Sequence, residues 1–328
     1  MNPYAPHPGS GEFVPSSRLT SEAPHITLVV NPDAGRGHAG RVLPKVSSAL
    51  LTQIPEAHLT VYQTNSYSEA RYRTQAAVEH SQPSSNGSRG DALVVMGGDG
   101  MAHLGLNACA ESNVTLGIIP AGTGNDFCRG VGVPQNVAAA TRAIINGERR
   151  TIDLNRVSGA IAADQTRFVG SVVSTGYDAK VNRRTNEITT PWGPLAYAYV
   201  ALRELATFEP MRYRIDIDGH RRELEAMFVA VGNAGYFGGG MLVCPPYDVT
   251  DGELDITLVH PVPRGKLLRL LPSMFSGKFV TDDSVELIRA RRIDVDGDAM
   301  FSMADGEELG GVPLTVEVAP KALTLYVP

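Results

Sequence analysis

Asp91-Ala-Leu-Val-Val-Met-Gly-Gly-Asp-Gly100 is an apolar run that stops at two glycines, an aspartate and a third glycine. Ala92 to Met96 is short and unbroken, the pattern of a strand buried on both faces of a parallel sheet. Glycines at 97, 98 and 100 let the backbone adopt positive φ and approach a ligand closely, with Asp99 the only side chain offered. Taken alone, the loop is either a simple turn or a phosphate cradle. Its neighbours separate the two.

Upstream, Ile26-Thr-Leu-Val-Val30 repeats the strand pattern, Asn31 to Gly40 is a glycine-rich loop, and Arg41 to Leu51 carries apolar residues at helical spacing. Gly35-x-Gly37-x-x-Gly40 matches the dinucleotide fingerprint by letter. The next strand, Leu59 to Thr64, ends without the acidic residue that would hold a ribose hydroxyl, which argues against a nicotinamide cofactor. A polar helix from about Ser68 to His80 and a Pro/Ser/Asn/Gly linker at 82–90 lead into the opening stretch. Beyond it come a helix at Ala102 to Glu111, a strand at Thr115 to Ile119, and the loop Pro120-Ala-Gly-Thr-Gly-Asn-Asp126. This alternation predicts an α/β domain with a doubly wound parallel sheet, its glycine-rich loops gathered at the carboxyl edge where ligands bind. Loop N–H groups backed by helix N-termini cradle polyanions, and a nucleoside triphosphate is the natural candidate.

From Arg149 the period shifts toward two, with strands at Thr151 to Val157, Thr166 to Ser174, Met211 to Ile217 and Leu224 to Gly232, and a hairpin turn at Asp218-Gly219. A domain boundary is placed near residue 150. The second domain reads as β-rich, interrupted by a helix at about Pro194 to Thr207 and closed by two strands within Leu314 to Val327. Two acidic stretches stand out, Pro245-Pro-Tyr-Asp-Val-Thr-Asp-Gly-Glu-Leu-Asp255 and Met303-Ala-Asp-Gly-Glu307. Each is a surface turn or a site. The first lacks EF-hand spacing.

Val30-Asn31-Pro32, Gly97-Gly-Asp-Gly100 and Leu116-Gly-Ile-Ile-Pro-Ala-Gly-Thr-Gly-Asn-Asp126 together resemble the catalytic-domain signature of the diacylglycerol kinase and sphingosine kinase superfamily, most closely its soluble bacterial lipid kinases. The likeness runs over most of residues 25–328. It implies a nucleotide-binding α/β domain at 25–150 and a β-sandwich-like lipid kinase domain at 151–328, whose last strands pack back on the first. It implies ATP bound by Asn31, Thr64, Gly97, Gly98, Asp99, Gly100, Gly122, Thr123, Gly124, Asn125 and Asp126, with Asp99 near the metal-bound phosphates. It assigns Asp305 as the base that receives the lipid hydroxyl proton. It also assigns a structural Mg²⁺ to Asp248, Asp251 and the Glu253 carbonyl, hard oxygens of the kind Mg²⁺ prefers. By the same resemblance Asn233 to Met241 lines the interdomain cleft, and since family members are often dimers, a homodimer is expected. One departure is plain: the family usually has Thr and then Asn-Glu after the loop, where this chain has Met101, Ala102 and His103.

Bulk properties narrow the rest. The chain has 328 residues, 43% hydrophobic and 20% charged, with a net charge of −6 and no global basic field for nucleic acid. Cys109, Cys128 and Cys244 lack zinc or disulfide spacing, which fits a reducing cytoplasm. The histidines do not cluster at metal-ligand spacing and no GxSxG elbow occurs. No apolar run approaches the ~20 residues that cross a bilayer. Residues 1–24 hold five prolines and little to bury, reading as a disordered extension. Arg264 to Lys278 mixes basic residues with Leu, Met and Phe. It is either an interfacial helix, shortened by Pro272, or a basic-faced helix packed on the β domain. The sequence is thus read as a cytoplasmic, peripherally membrane-associated kinase converting diacylglycerol to phosphatidic acid. The alternatives are a kinase of a long-chain base, ceramide or NAD-like acceptor, or an inactive nucleotide- or lipid-binding protein.

Overall fold

The computed structural model describes residues 23–82, 89–161, 167–176, 209–297, 301–305 and 307–328. Nearly all of the 1–24 extension, most of the 82–90 linker and the helix expected at about Pro194 to Thr207 lie outside the described residues. The first half alternates β1 (His25–Val30), α1 (Ala34–Gln53), β2 (His58–Gln63), α2 (Tyr67–Glu79), β3 (Ala92–Gly97), α3 (Asp99–Cys109) and β4 (Thr115–Pro120), followed by α4 (Asp126–Val131) and α5 (Val137–Asn146). Strand β1 pairs in parallel with β2 and β3, and β3 with β4. Every residue of β3 is buried, and alternation sorts them by face. Ala92, Val94 and Met96 pack with Leu43, Val46 and Leu50 of α1 and Ile144 of α5, whereas Leu93 and Val95 pack with Leu104 and Leu106 of α3. Gly105 lets α3 close on this sheet, because a Cβ there would lie 2.8 Å from Leu116 and 3.0 Å from Val95.

The second half contains β5 (Arg149–Ile161), β6 (Arg167–Val169), β7 (Val172–Gly176), β8 (Met211–Ile217), β9 (His220–Ala226), β10 (Phe228–Gly232), β11 (Tyr236–Phe237), β12 (Met241–Leu242) and β13 (Leu254–Val259). Then come α6 (Arg264–Met274), a 3-10 turn (Lys278–Thr281), β14 (Val285–Ala290), β15 (Arg292–Gly297), β16 (Phe301–Ala304) and β17 (Glu307–Tyr326). These strands enclose a separate core of Val157, Val173, Tyr213, Val229, Ile256, Ile293, Leu309 and Val316. The protein is therefore an α/β parallel-sheet domain joined to a β-rich domain.

Strand β17 joins the two. It runs antiparallel to β5 from Gly310↔Ile161 to Tyr326↔Arg149, and Leu325 pairs in parallel with Leu116 of β4. The resulting order β14-β13-β10-β7-β16-β17-β4-β3-β1-β2 brings the β16–β17 turn beside the loops that leave β3 and β4. Three sequence readings change here. The run Thr166 to Ser174 is two strands, because the chain bends at Gly170-Ser171; Leu224 to Gly232 breaks at Met227; and the two closing strands are one long, bulged strand.

Candidate active site

The glycines let the three loops touch backbone to backbone. A Cβ on Gly35 would lie 2.4 Å from the Ala121 carbonyl, one on Gly122 2.4 Å from the Gly98 Cα, and one on Gly97 2.4 Å from Met101 Cγ. Gly35, Arg36 and Gly37 all have φ between +59° and +77°, so the first part of α1 is an irregular loop, as the glycines there predict. Asn31 accepts the Asp33 N–H at 3.1 Å and donates its own N–H to the Met96 carbonyl, joining the first loop to β3. Thr64 is buried at the end of β2, where its hydroxyl donates to the Val30 carbonyl at 3.1 Å. Thr123 is exposed at the tip of the third loop.

Asp99 opens α3. One carboxylate oxygen accepts the N–H of Asn125 at 2.8 Å and the other that of Asp126 at 2.7 Å. Its first service is therefore to clamp the second loop to the third. Asn125 completes the turn from a left-handed conformation (φ 52°), accepting the Gly122 N–H and returning a bond to the Gly122 carbonyl. Burial, with the like charges of Asp126 and Asp305 added, pushes Asp99 up to about 6 against the pull of its two N–H donors. Asp126 is also shifted upward, by burial first, although Gly239 donates an N–H at 2.7 Å and Arg129 is nearby. Its Oδ1 is buried without a partner. The Gly239 bond draws the Asn233 to Met241 segment onto the nucleotide half, where Arg129 lies over Tyr236 and the Tyr247 hydroxyl donates to the Gly130 carbonyl at 3.0 Å.

Asp305 sits at the end of β16 with φ 48°. Its side chain is 3% exposed and receives the N–H groups of Gly170 (3.1 Å) and Ser171 (3.0 Å), with His103 Nδ1 at 3.0 Å. The Gly170-Ser171 bend that interrupts the expected strand is what supplies those two donors. Asp99, Asp126, Asp305, Ser171, Ser174, Tyr236 and Gly239 line one cleft of about 130 Å³ between the two halves. The sequence reading missed Gly170, Ser171 and the His103 contact. His103 was visible as a departure, but nothing local in the sequence could give it a partner some two hundred positions away.

The other acidic stretch is built differently. Asp248 caps its own turn, accepting the Thr250 N–H at 2.9 Å and hydroxyl at 2.6 Å, and Asp251 accepts the Glu253 N–H at 3.0 Å. Arg289 of β14, in register with Asp255, pairs with Asp251, with Glu253 at 3.1 Å and with Asp255 at 3.5 Å. Burial, then the charges of Glu253 and Asp248, pushes Asp255 up to about 7, and its Oδ2 is buried without a partner. The oxygens are of the type Mg²⁺ prefers. The Arg289 guanidinium stands among them. As arranged, Arg289 offsets part of the negative charge of this turn.

Among the described residues no helix is long and apolar enough to cross a membrane. Helix α6 packs Leu267, Leu270 and Met274 into a third core with Phe228, Phe237 and Phe279, as the packed-helix reading requires, while Leu268 and Phe275 remain exposed.

Residues 25–157 match the diacylglycerol kinase catalytic domain, and residues 171–327 the YegS C-terminal NAD kinase beta sandwich-like domain. A diacylglycerol kinase of Mycobacterium tuberculosis (strain ATCC 25618 / H37Rv) is 34% identical over 307 residues, covering 92% of this chain and 95% of the relative. A Klebsiella pneumoniae (strain 342) protein named "Probable lipid kinase YegS-like" is 29% identical over 245 residues, 73% of this chain and 78% of that one. A crystal structure from Bacillus anthracis str. Sterne superposes with a TM-score of 0.74 at 25% identity, covering 93% of this chain and 98% of that chain. The glycine-rich loops, the two-domain fold joined through β17 and these relatives agree: the chain belongs to the diacylglycerol kinase/YegS family of lipid kinases.

Proposed function

We propose that the chain transfers the γ-phosphoryl group of ATP to the free hydroxyl of diacylglycerol, giving phosphatidic acid and ADP. The observation that carries this reading is Asp305, a carboxylate fixed by backbone donors on the cleft wall opposite the phosphate-cradling loops. The named activity of the M. tuberculosis relative, alike over nearly the full length of both chains, supports diacylglycerol over other acceptors.

Phosphoryl transfer passes through a loose transition state, so most of the barrier reduction comes from positioning and charge neutralisation. Backbone N–H groups of the loops around Gly37, Gly98 and Gly124 hold the phosphates, and Asp99 keeps the second and third loops in register. Asp126 offers the unpartnered Oδ1 to a nucleotide-borne cation or its water. Mg²⁺ bound with ATP supplies neutralisation of the phosphate charge. Asp305 accepts the hydroxyl of the lipid and orients its oxygen at the γ-phosphorus. The new O–P bond forms as the bridging O–P bond to ADP breaks, and the hydroxyl proton passes to Asp305 and then to water. The exposed Leu268 and Phe275, with Arg264 and Arg269 on the same helix and Lys278 just beyond it, suit contact with an anionic bilayer surface.

The test is phosphorylation with labelled ATP of diacylglycerol, monoacylglycerol, ceramide and a long-chain base in mixed micelles. Diacylglycerol should give the highest kcat/KM, and Asp305→Asn should cut product formation by orders of magnitude. Preference for another acceptor keeps the kinase and discards the substrate.

A further inference from the structure

His103 lies on α3 in the interior, its side chain 5% exposed and behind Asp305 as seen from the cleft lining. Its contact with Asp305 settles which ring nitrogen carries the hydrogen. Asn107, one turn along, accepts the Phe168 N–H on Oδ1 at 3.0 Å and donates Nδ2 to the Phe168 carbonyl at 2.8 Å, which fixes its amide orientation. Its second hydrogen goes to the His103 carbonyl at 3.0 Å, which leaves none for His103 Nε2 at 3.3 Å. His103 Nδ1 faces a carboxylate oxygen, an acceptor, so Nδ1 carries the hydrogen, which it gives to Asp305 Oδ2 at 3.0 Å.

The acceptor count on Asp305 then closes to a single vacancy. A carboxylate offers about four in-plane lone pairs, two on each oxygen. Oδ2 spends both, on Gly170 N–H and His103 Nδ1–H, and Oδ1 spends one on Ser171 N–H. We infer that His103 is a positioning residue that fills the second acceptor site of Asp305 Oδ2, leaving one lone pair of Oδ1 as the sole seat for the acceptor hydroxyl. The inference rests on the reading that Asp305 meets that hydroxyl. It gives His103, one of the residues at which this chain departs from the family pattern after the loop, the task of stopping the carboxylate from rotating and of denying the hydroxyl a second, misaligned acceptor.

The experiment compares His103→Ala and His103→Asn, alone and with Asp305→Asn, in steady-state kinetics on the preferred lipid and in ATP binding by titration calorimetry. His103→Ala should lower kcat about 10–100-fold, the range for a lost orienting partner, with ATP affinity within about twofold. His103→Asn, whose Nδ2–H leaves in the direction of the ring Nδ1–H, should recover most of the loss. In the Asp305→Asn background, His103→Ala should add less than about twofold, because the two act as one unit. A kcat within about threefold of wild type in His103→Ala, or losses that multiply in the double variant, overturns the inference. So does a melting temperature and ATP affinity that fall together in the Ala and Asn variants alike, which marks a packing role. A readout free of substrate is the side-chain ¹⁵N spectrum at pH 7. A His103 Nδ1–H tautomer that Asp305→Asn perturbs supports the pairing, and an Nε2–H tautomer overturns it. If wild type phosphorylates no lipid while the Nδ1–H tautomer is found, the substrate reading fails and the pairing stands.

Discussion

The Asp305 turn and the Asp248–Asp255 turn have the same raw material, aspartates beside a glycine in the β-rich half, and they end in opposite electrostatic states. At the first, Asp305 faces Asp99 and Asp126 across a cleft, and all three are held by backbone N–H groups, with one histidine ring on Asp305. At the second, the chain sends its own cation, Arg289, into the group. Dipolar donors fix a carboxylate without cancelling its charge, whereas a guanidinium offsets part of it. The difference teaches that a site is recognised by how its acids are balanced, and only secondarily by how many there are.

The largest test of that contrast is Asp305→Asn, which should cut turnover by ~10²–10⁴-fold, the range for a positioned acid-base group, while ATP affinity measured by calorimetry changes little. Near-normal turnover would remove Asp305 from the chemistry and erase the contrast. Asp99→Asn comes next. One amide oxygen cannot replace two carboxylate oxygens, so a buried loop N–H loses its acceptor, and stability should fall by ~1–3 kcal/mol with ATP binding weakened in parallel.

The same residue responds to pH. Its folded pKa is raised from 3.8 to about 6, so its contribution to stability is complete below about pH 4, declines as pH rises through that window, and is lost above about 6. Asp99→Asn should flatten this part of the denaturation-versus-pH curve. An unchanged slope would place the titration elsewhere.

Arg289→Gln should cost less, ~0–1 kcal/mol per pair, because the guanidinium is half exposed. Wild-type melting should be insensitive to EDTA, and the variant should gain a stabilisation by Mg²⁺. A wild-type melt that EDTA depresses would assign the turn to metal binding. The smallest effect on the fold is expected from Leu268→Glu with Phe275→Glu. Both positions are exposed, so melting should hardly move while co-sedimentation with anionic vesicles falls; unchanged sedimentation excludes α6 as the docking surface.

Much of the nucleotide half was legible because its signals are local. An unbroken Ala92–Met96 run and three glycine loops dictate strand, turn and helix N-terminus within a few residues. Even there, α3 begins three residues before the expected Ala102, since Gly98 serves as its N-cap and Asp99 enters the first turn. The β-rich half was less legible. Whether Thr166–Ser174 is one strand or two depends on Asp305 pulling on two amides, and what surrounds the acids of the second turn depends on an arginine in register on another strand. Both are decided by partners distant in sequence, which periodicity does not encode.

Strand β17 gives this molecule a particular life history on the ribosome. The edge of β4 acquires its neighbour only when Leu325 arrives, some two hundred residues after Leu116 has been made. Until then the nascent nucleotide half carries an open parallel edge, the kind of surface that pairs with the wrong chain. Docking β17 closes that edge and also pairs the strand with β16, whose end carries Asp305, so a chain cut short before residue 307 would keep the catalytic candidate but leave the β4 edge open.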